Sequence, residues 1–246
     1  MPLSKIAMNI CVDIGNTNAR AGIFDGHKLL EVKNGLSDRG IISLIRQLQP
    51  GHVIIGSVRK GVGRIMKTSE KLAKTMVVNH RTPLPFTNCY ASPETLGLDR
   101  IAAVAGGHYL YAGRNCLIID IGTCITYDML DQSGVYHGGG ISPGVEMRLK
   151  AMHKFTSGLP HVKHKGLPHL IGKTTKECML SGATLGAITE VEGIIYRYEQ
   201  FFENLIAIMC GGGANFFESK IKGNIFAVPN LVLEGLNQVL RYNLHA

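Results

Sequence analysis

Two apolar runs separated by a short polar turn open the chain, so residues 11–25 read as a strand, a tight turn and a second strand. Residues 28–33 follow the turn Asp25-Gly26-His27 as a third strand and complete an antiparallel meander. Apolar positions then shift to helical spacing at Ile41, Ile42, Leu44, Ile45 and Leu48, and Pro50-Gly51 stops that helix. A short buried strand at 53–56, a polar helix over about 63–74 and a strand at 76–78 extend the pattern into an alternating βαβ run, which favours helices on a mixed sheet. Prolines make 82–93 a loop, and helical spacing resumes over 101–107.

From about residue 113 the plan repeats, with a strand containing Asp120, a strand over 125–130, the turn Asp131-Gln132-Ser133-Gly134 and a strand from Tyr136. Gly138-Gly139-Gly140 and Pro143-Gly144 mark places where the backbone approaches something closely, ahead of a helix over 145–152. His161, His164 and His169, mixed with lysines, lack metal-ligand spacing and read as a solvated loop. A long helix rich in Ala, Leu and Ile runs from Thr175 past Tyr196, a buried strand at 205–209 leads into Cys210-Gly211-Gly212-Gly213-Ala214, and a helix closes the chain over 229–242. The expectation is an α/β protein of two halves, 1–112 and 113–246.

The repeat extends to chemistry. Asp13, Gly15, Asn16 and Thr17 place a carboxylate, a glycine and hydrogen-bonding side chains at the end of a strand, and Asp120, Gly122, Thr123 and Thr126 repeat that order. A single Asp-x-Gly after an apolar run is an ordinary turn, but two of them, each followed by Thr, imply one nucleotide held between two similar halves. The Cys210–Ala214 turn suits packing against a flat adenine ring. A dinucleotide fingerprint is excluded because the chain after Gly15 continues in strand-like residues. A Walker A loop fails as well, since Gly166 is one residue too far from Gly172-Lys173-Thr174 and Pro168 interrupts it. Asp99 stands at or beside a helix start, where it is either an N-cap or, next to Gly97 and Arg100, a group that faces substrate.

Composition narrows the class. A hydrophobic fraction of 45% over 246 residues supports a sizeable core. The start lacks the apolar run of a signal peptide and no apolar stretch reaches about 18 residues, so the expected location is the cytoplasm, with no membrane partner. Six scattered cysteines without Cys-x-x-Cys indicate neither a zinc site nor a disulfide framework. Of the net +8, +7 falls within residues 1–112 and +1 within 113–246. Arg59, Lys60, Arg64, Lys67, Lys71, Lys74 and Arg81 are spaced like the solvent face of a helix. Without interleaved aromatics this face reads as one that draws in an anionic nucleotide rather than a nucleic acid.

The loops around Asp13 and Asp120 resemble the phosphate-1 and phosphate-2 motifs of the acetate and sugar kinase, Hsp70 and actin superfamily. More narrowly, Tyr90, the run Leu96-Gly97-Leu98-Asp99-Arg100, the run Gly139-Gly140-Ile141-Ser142-Pro143-Gly144 and residues 229–236 are similar to type III pantothenate kinases, in the same order along nearly the whole chain. The resemblance implies an actin-like fold of two ribonuclease-H-like halves with the nucleotide cleft between them. The first half would carry the phosphate-1 loop, the second the phosphate-2 loop and the adenosine turn. It further implies phosphorylation of the terminal hydroxyl of pantothenate by ATP, the first step of coenzyme A synthesis, in a homodimer using Mg²⁺ and a monovalent cation, K⁺ or NH₄⁺.

Position by position, Asp13, Ile14, Gly15, Asn16, Thr17, Asn18, Ala19 and Arg20 match the ATP phosphate loop, and Thr123 matches a second ATP contact. Asp99 matches the proton acceptor and Asp120 the monovalent-cation ligand. Tyr90, Gly97, Leu98, Asp99, Arg100 and Thr175 match pantothenate contacts. Three positions depart from the family pattern: Thr174-Thr175 stands where Asn-Thr is usual, Cys178 where alanine is common and Cys210 where threonine is frequent. A non-catalytic nucleotide-binding regulator of the same fold is the alternative, against which Asp13, Asp99 and Asp120 together speak. Nucleic-acid binding through the basic stretch would show as steeply salt-dependent retention.

Overall fold

The computed structural model describes residues 8–15, 19–57 and 62–245. The chain divides into two compact units, one of Met1–Gly113, Gly134–His137 and Asn230–Ala246, the other of Arg114–Ser133 and Gly138–Pro229. Residues 134–137 and 230–246 therefore cluster with the first unit, whereas a simple division at 112/113 puts them in the second half.

In the first unit, β1 (Met8–Ile14), β2 (Ala19–Asp25) and β3 (Lys28–Leu36) form the meander, while β1 pairs in parallel with β4 (His52–Ser57) and β4 with β5 (Lys74–Val77). The sheet order is β3-β2-β1-β4-β5. Ile10, Cys11, Val12 and Ile14 are all fully buried, as expected for a central strand covered on both faces. α1 (Asp38–Leu48) covers one face with Ile41, Leu44 and Ile45. Its start is capped by Ser37, whose Oγ accepts the Gly40 N–H at 3.1 Å. α2 (Gly63–Ser69) adds Ile65 to the same core. The basic stretch does not form one helical face: α2 ends at Ser69, Lys74 belongs to β5 and Arg81 to a turn, while Arg59 and Lys60 lie outside the described residues. The backbone turns at this point, with the Leu72 and Ala73 N–H groups donating to Ser69 O.

The last helix, α7 (Leu231–His245), explains the discontinuous first unit. It packs along α3 (Leu98–Leu110) and against β1, β2 and β4. A Cβ on Gly235 would lie 1.7 Å from Ala102 O, and one on Gly106 2.5 Å from Leu231 O, so the two backbones meet without side chains between them. Buried amides lock this arrangement: Asn9 Nδ2 donates to Asn237 Oδ1 at 3.1 Å, and Asn237 Nδ2 donates to Gly26 O at 2.8 Å. Each satisfied pair avoids the cost of a buried orphan amide. Residues 134–137 join through β9 (Val135–Pro143), whose first two residues pair in parallel with the short β6 (Thr87–Asn88) inside the expected loop.

The second unit is built on β7 (Cys116–Ile121), β8 (Cys124–Leu130) and the rest of β9, with β10 (Ile206–Cys210) and β11 (Ile225–Ala227) on the other side of β7. β7–β8 is antiparallel, and β10 is parallel to both β7 and β11. Gly139 lets β9 lie against β8, where a Cβ would come 1.8 Å from Tyr127 O. α4 (Val145–Phe155) follows Gly144, and α5 (Thr175–Glu199) starts at Thr174, whose Oγ1 accepts the Glu177 N–H at 3.3 Å. By length and composition α5 could cross a membrane, yet Met179, Ala183, Ala187, Ile188, Val191 and Ile195 lie in core clusters of this unit. α6 (Ala214–Glu218) completes the unit. The His-rich loop is anchored, not merely solvated: Val162 packs with Leu149, Met179 and Ala183, and the His164 N–H donates to Glu146 Oε1 at 2.8 Å.

Gly235→Ala should overpack the α3–α7 contact by forcing a methyl group onto a carbonyl oxygen, at a cost of about 2–3 kcal/mol. The corresponding drop in melting temperature is roughly 5–10 °C for a chain of this size. A scanning-calorimetry midpoint within a degree of wild type would show that the two helices do not approach this closely.

Candidate active site

In the first unit, the β1–β2 register sets Asp13 directly opposite Arg20. The Arg20 guanidinium donates from Nε to Asp13 Oδ2 at 2.9 Å, with the two side chains 23% and 17% exposed. Burial raises the Asp13 carboxyl above its usual range; Arg20 pulls it back down, and the negative charge of Asp99 pushes it up. That coupling places Asp99 in the electrostatic neighbourhood of the β1–β2 turn. Ile14 and Ala19 point into the core, so only their backbones are available to a ligand. Gly15 ends the described part of the turn, and Asn16, Thr17 and Asn18 lie outside the described residues.

Asp99 is not the N-cap of α3. Gly97 holds that position without a side-chain cap, and Asp99 is the second helical residue. Its Oδ1 accepts the Arg100 N–H at 2.9 Å, one of the amide donors a helix start leaves unpaired. A Cβ at Gly97 would sit 2.5 Å from Asp99 Oδ1, so a side chain there would displace this carboxylate. Arg100 is 6% exposed and lies over the Tyr90 ring at 5.7 Å. Tyr90 in turn stacks on Tyr136, with ring centroids 6.2 Å apart at 16°. The structure thus brings Tyr90, Gly97, Asp99 and Arg100 together, with Leu98 half-buried beside them.

In the second unit, Asp120 is the penultimate residue of β7. Gly211, at φ +83°, passes so close that a Cβ would meet Asp120 Oδ1 at 2.2 Å and Ile121 O at 2.7 Å. Carboxylate and carbonyl oxygens crowd around a glycine cradle, the donor type that hard cations take. Among the described residues, no three His, Cys, Asp or Glu side chains form a metal-holding group. Thr123 is exposed, and its carbonyl accepts the Gly144 N–H at 3.0 Å, fixing the turn after β7. Thr175 is the exposed first residue of α5. Gly172 meets the start of this helix, where a Cβ would lie 2.4 Å from Cys178 N, and Thr174 caps it.

The structure also contains a polar centre that the sequence pattern did not single out. Glu190 of α5 accepts hydrogen bonds from the Tyr127 hydroxyl at 2.8 Å, from Ser142 and from Arg148. Burial pushes its carboxyl up, but these three donors prevail and hold it below the usual range. Two carboxylates, Glu190 and Glu192, amid the apolar positions of 187–195 were the available signal. The Tyr136 stack under Tyr90 had none, because the contact is long-range.

A family model described as type III pantothenate kinase matches residues 9–197. Curated relatives carrying that name include one from Phocaeicola vulgatus, 40% identical over 96% of this chain and 99% of its own, and one from Christiangramia forsetii, 41% identical with the same coverage. The chain belongs to the type III pantothenate kinase family. It has the fold of the sugar-kinase and actin superfamily. A 2-dehydro-3-deoxygalactonokinase from Sinorhizobium meliloti aligns at TM-score 0.57 and 13% identity over 96% of this chain and 99% of that one. A protein described as a Baf family transcriptional activator from Campylobacter jejuni aligns at TM-score 0.62 and 19% identity over 96% and 100%. At such identities both likenesses concern fold alone. Of the departures from the family pattern, Cys210 is fully buried at the end of β10, and Cys178 is exposed with its Sγ 3.4 Å from Gly172 O.

Proposed function

We propose that this kinase transfers the γ-phosphoryl group of ATP to the terminal hydroxyl of pantothenate, giving 4'-phosphopantothenate for coenzyme A synthesis in the cytoplasm. The family membership over residues 9–197 carries the reading. The cluster of Asp99, Arg100 and Tyr90 supports it. Phosphoryl transfer needs mainly positioning and charge neutralisation. The β1–β2 turn, with Asp13, Ile14, Gly15, Asn16, Thr17, Asn18, Ala19 and Arg20, cradles the ATP phosphates, and Thr123 supplies another ATP contact. The substrate hydroxyl oxygen attacks the γ-phosphorus, the bond to the bridging oxygen of ADP breaks, and Asp99 takes the hydroxyl proton. Tyr90, Gly97, Leu98, Arg100 and Thr175 bind pantothenate, with Arg100 the partner for its carboxylate. Mg²⁺ and a monovalent cation, when bound, offset phosphate charge. Asp120 and the carbonyl beside Gly211 are the donors suited to K⁺ or NH₄⁺. The active form is a homodimer, with no nucleic acid and no membrane among its partners.

Asp99→Asn preserves the oxygen that accepts the Arg100 N–H and removes the proton acceptor. The expected loss in kcat, read in a coupled assay of ADP release with pantothenate, is on the order of 10² to 10⁴. Melting temperature and ATP binding should stay at wild-type values. A variant keeping more than about half of wild-type kcat would refute the role, on the same scale.

Activity should depend on K⁺ or NH₄⁺, and Asp120→Asn should remove that dependence together with most of the rate. Equal wild-type rates in sodium-only buffer, or a fully active Asp120→Asn variant, would count against a cation at this carboxylate.

The dimer reading rests on α5. Gly182, Gly186 and Gly193 have open space where a Cβ would be, and Tyr196 on the same helix is 63% exposed. Glycine inside a helix costs roughly 1 kcal/mol each, and close approach by a second copy is a reason to keep three. Gly186→Leu should shift sedimentation from dimer to monomer while leaving the melting temperature of the monomer near wild type. An unchanged dimer would remove α5 from the interface, and a monomeric, fully active wild type would remove the dimer itself.

A further inference from the structure

The first unit contains a cavity of about 650 Å³ at the other end of α3 from Asp99. Ten residues of helix separate Asp99 from Tyr109, or about 15 Å at 1.5 Å per residue. The cavity is built by four separate segments: His27 in the β2–β3 turn, Pro85, the end of α3 with His108 and Tyr109, and the outer turns of α7 with Arg241, Tyr242 and His245. Its volume is that of a small-molecule pocket.

Its chemistry is one-sided. The described lining contains an arginine and three histidines and no carboxylate. Arg241 lines the cavity, and its Nε is buried with no hydrogen-bond partner among the described residues. One wall is flat: His27 stacks on Tyr109 with centroids 5.2 Å apart at 4°, and Gln238 Nε2 sits 3.3 Å from His27 Nδ1, steadying the ring. Tyr109 and Tyr242 are 42% and 45% exposed, a large aromatic area for side chains at one pocket. Burial, followed for His27 by the Arg241 charge, pushes His27 and His108 below the usual imidazole range. A guanidinium fork matches a carboxylate, and the flat aromatic wall matches a planar body.

We propose that this cavity binds a small planar monoanion, an aromatic carboxylate, with its carboxylate on the Arg241 guanidinium and its ring against Tyr109 and His27. The site is separate from that of the kinase reaction and does not depend on it.

The test is calorimetric titration of the full chain with 4-hydroxybenzoate, in saturating pantothenate so that the carboxylate site near Arg100 is occupied. Parallel titrations use neutral 4-hydroxybenzamide and inorganic phosphate. The acid should bind with Kd below about 1 mM, and the amide and phosphate at least tenfold more weakly. Arg241→Gln should weaken the acid at least tenfold, as should Ala112→Trp, which fills the exposed rim of the cavity. Both variants should keep wild-type kcat. No binding of the acid, equal binding of the amide or phosphate, or unchanged affinity in Ala112→Trp would overturn the proposal. If Arg241→Gln fails to fold, Ala112→Trp decides alone.

Discussion

Helices α3 and α7 meet backbone to backbone, and a methyl group on Gly235 would fall 1.7 Å from the Ala102 carbonyl oxygen. Two glycine-bearing helices lose conformational stability at those positions, so the contact has to be repaid by what it buries. Ile101 to Ala105 on α3 and Leu231, Val232, Leu233 and Leu236 on α7 are all at most 2% exposed. The consequence reaches both ends of α3. Its first turn is held where Asp99 bears on the electrostatics of Asp13, and its last turns become one wall of the cationic cavity. The Asn9–Asn237 hydrogen bond adds a register mark, linking residues 228 apart in the chain. Only one sliding position of α7 satisfies both the amide pair and the glycine contact.

Placement of charge in the first unit follows from that rigid frame. A carboxylate in the first turn of a helix is favoured by the helix dipole, and the Asp99 geometry uses the local donor of Arg100 as well. The carboxylate swings back towards Gly97, two residues earlier, where a Cβ would crowd it. Arg100 keeps its charge buried over Tyr90, and Tyr90 rests on Tyr136 from the start of β9. Three segments distant in sequence therefore set the position of one guanidinium. An Arg-to-Lys change there would lose the planar stacking surface along with the fork.

Periodicity made the long elements legible. The meander, α1 and α5 follow from alternation, helical spacing and capping residues that act over a few positions. β6 and β11, two and three residues long, are paired by neighbours far along the chain and leave almost no local trace. The end of α2 at Ser69 was missed for a related reason, since charged residues at helical spacing look alike on a helix, a turn and a strand edge. Membership of α7 in the first unit was not legible either, because the glycine that permits it, Gly235, has its reason in Ala102. For the candidate site, the ordered motifs pointed to Asp13, Asp99 and Asp120. They could not distinguish an N-cap from a residue two positions further on, a matter of backbone geometry at Gly97. The Arg241 cavity, assembled from four segments, had no sequence signature at all.

The two Asp-x-Gly loops look alike in sequence and balance their carboxylates differently. In the first, antiparallel pairing sets Asp13 opposite Arg20, and cross-strand neighbours share a face, so the hairpin supplies its own cation. In the second, the corresponding register sets Asp120 opposite Thr126, which offers a hydroxyl and no charge. What approaches Asp120 instead is the glycine turn after β10, at a distance that no side chain on Gly211 could tolerate. Around Asp120, carboxylate and carbonyl oxygens gather at a glycine turn, whereas the Asp13 carboxylate is joined to arginine across its own hairpin. The repeat therefore preserves a backbone plan, while the residue opposite each aspartate differs, a guanidinium in the first half and a hydroxyl in the second.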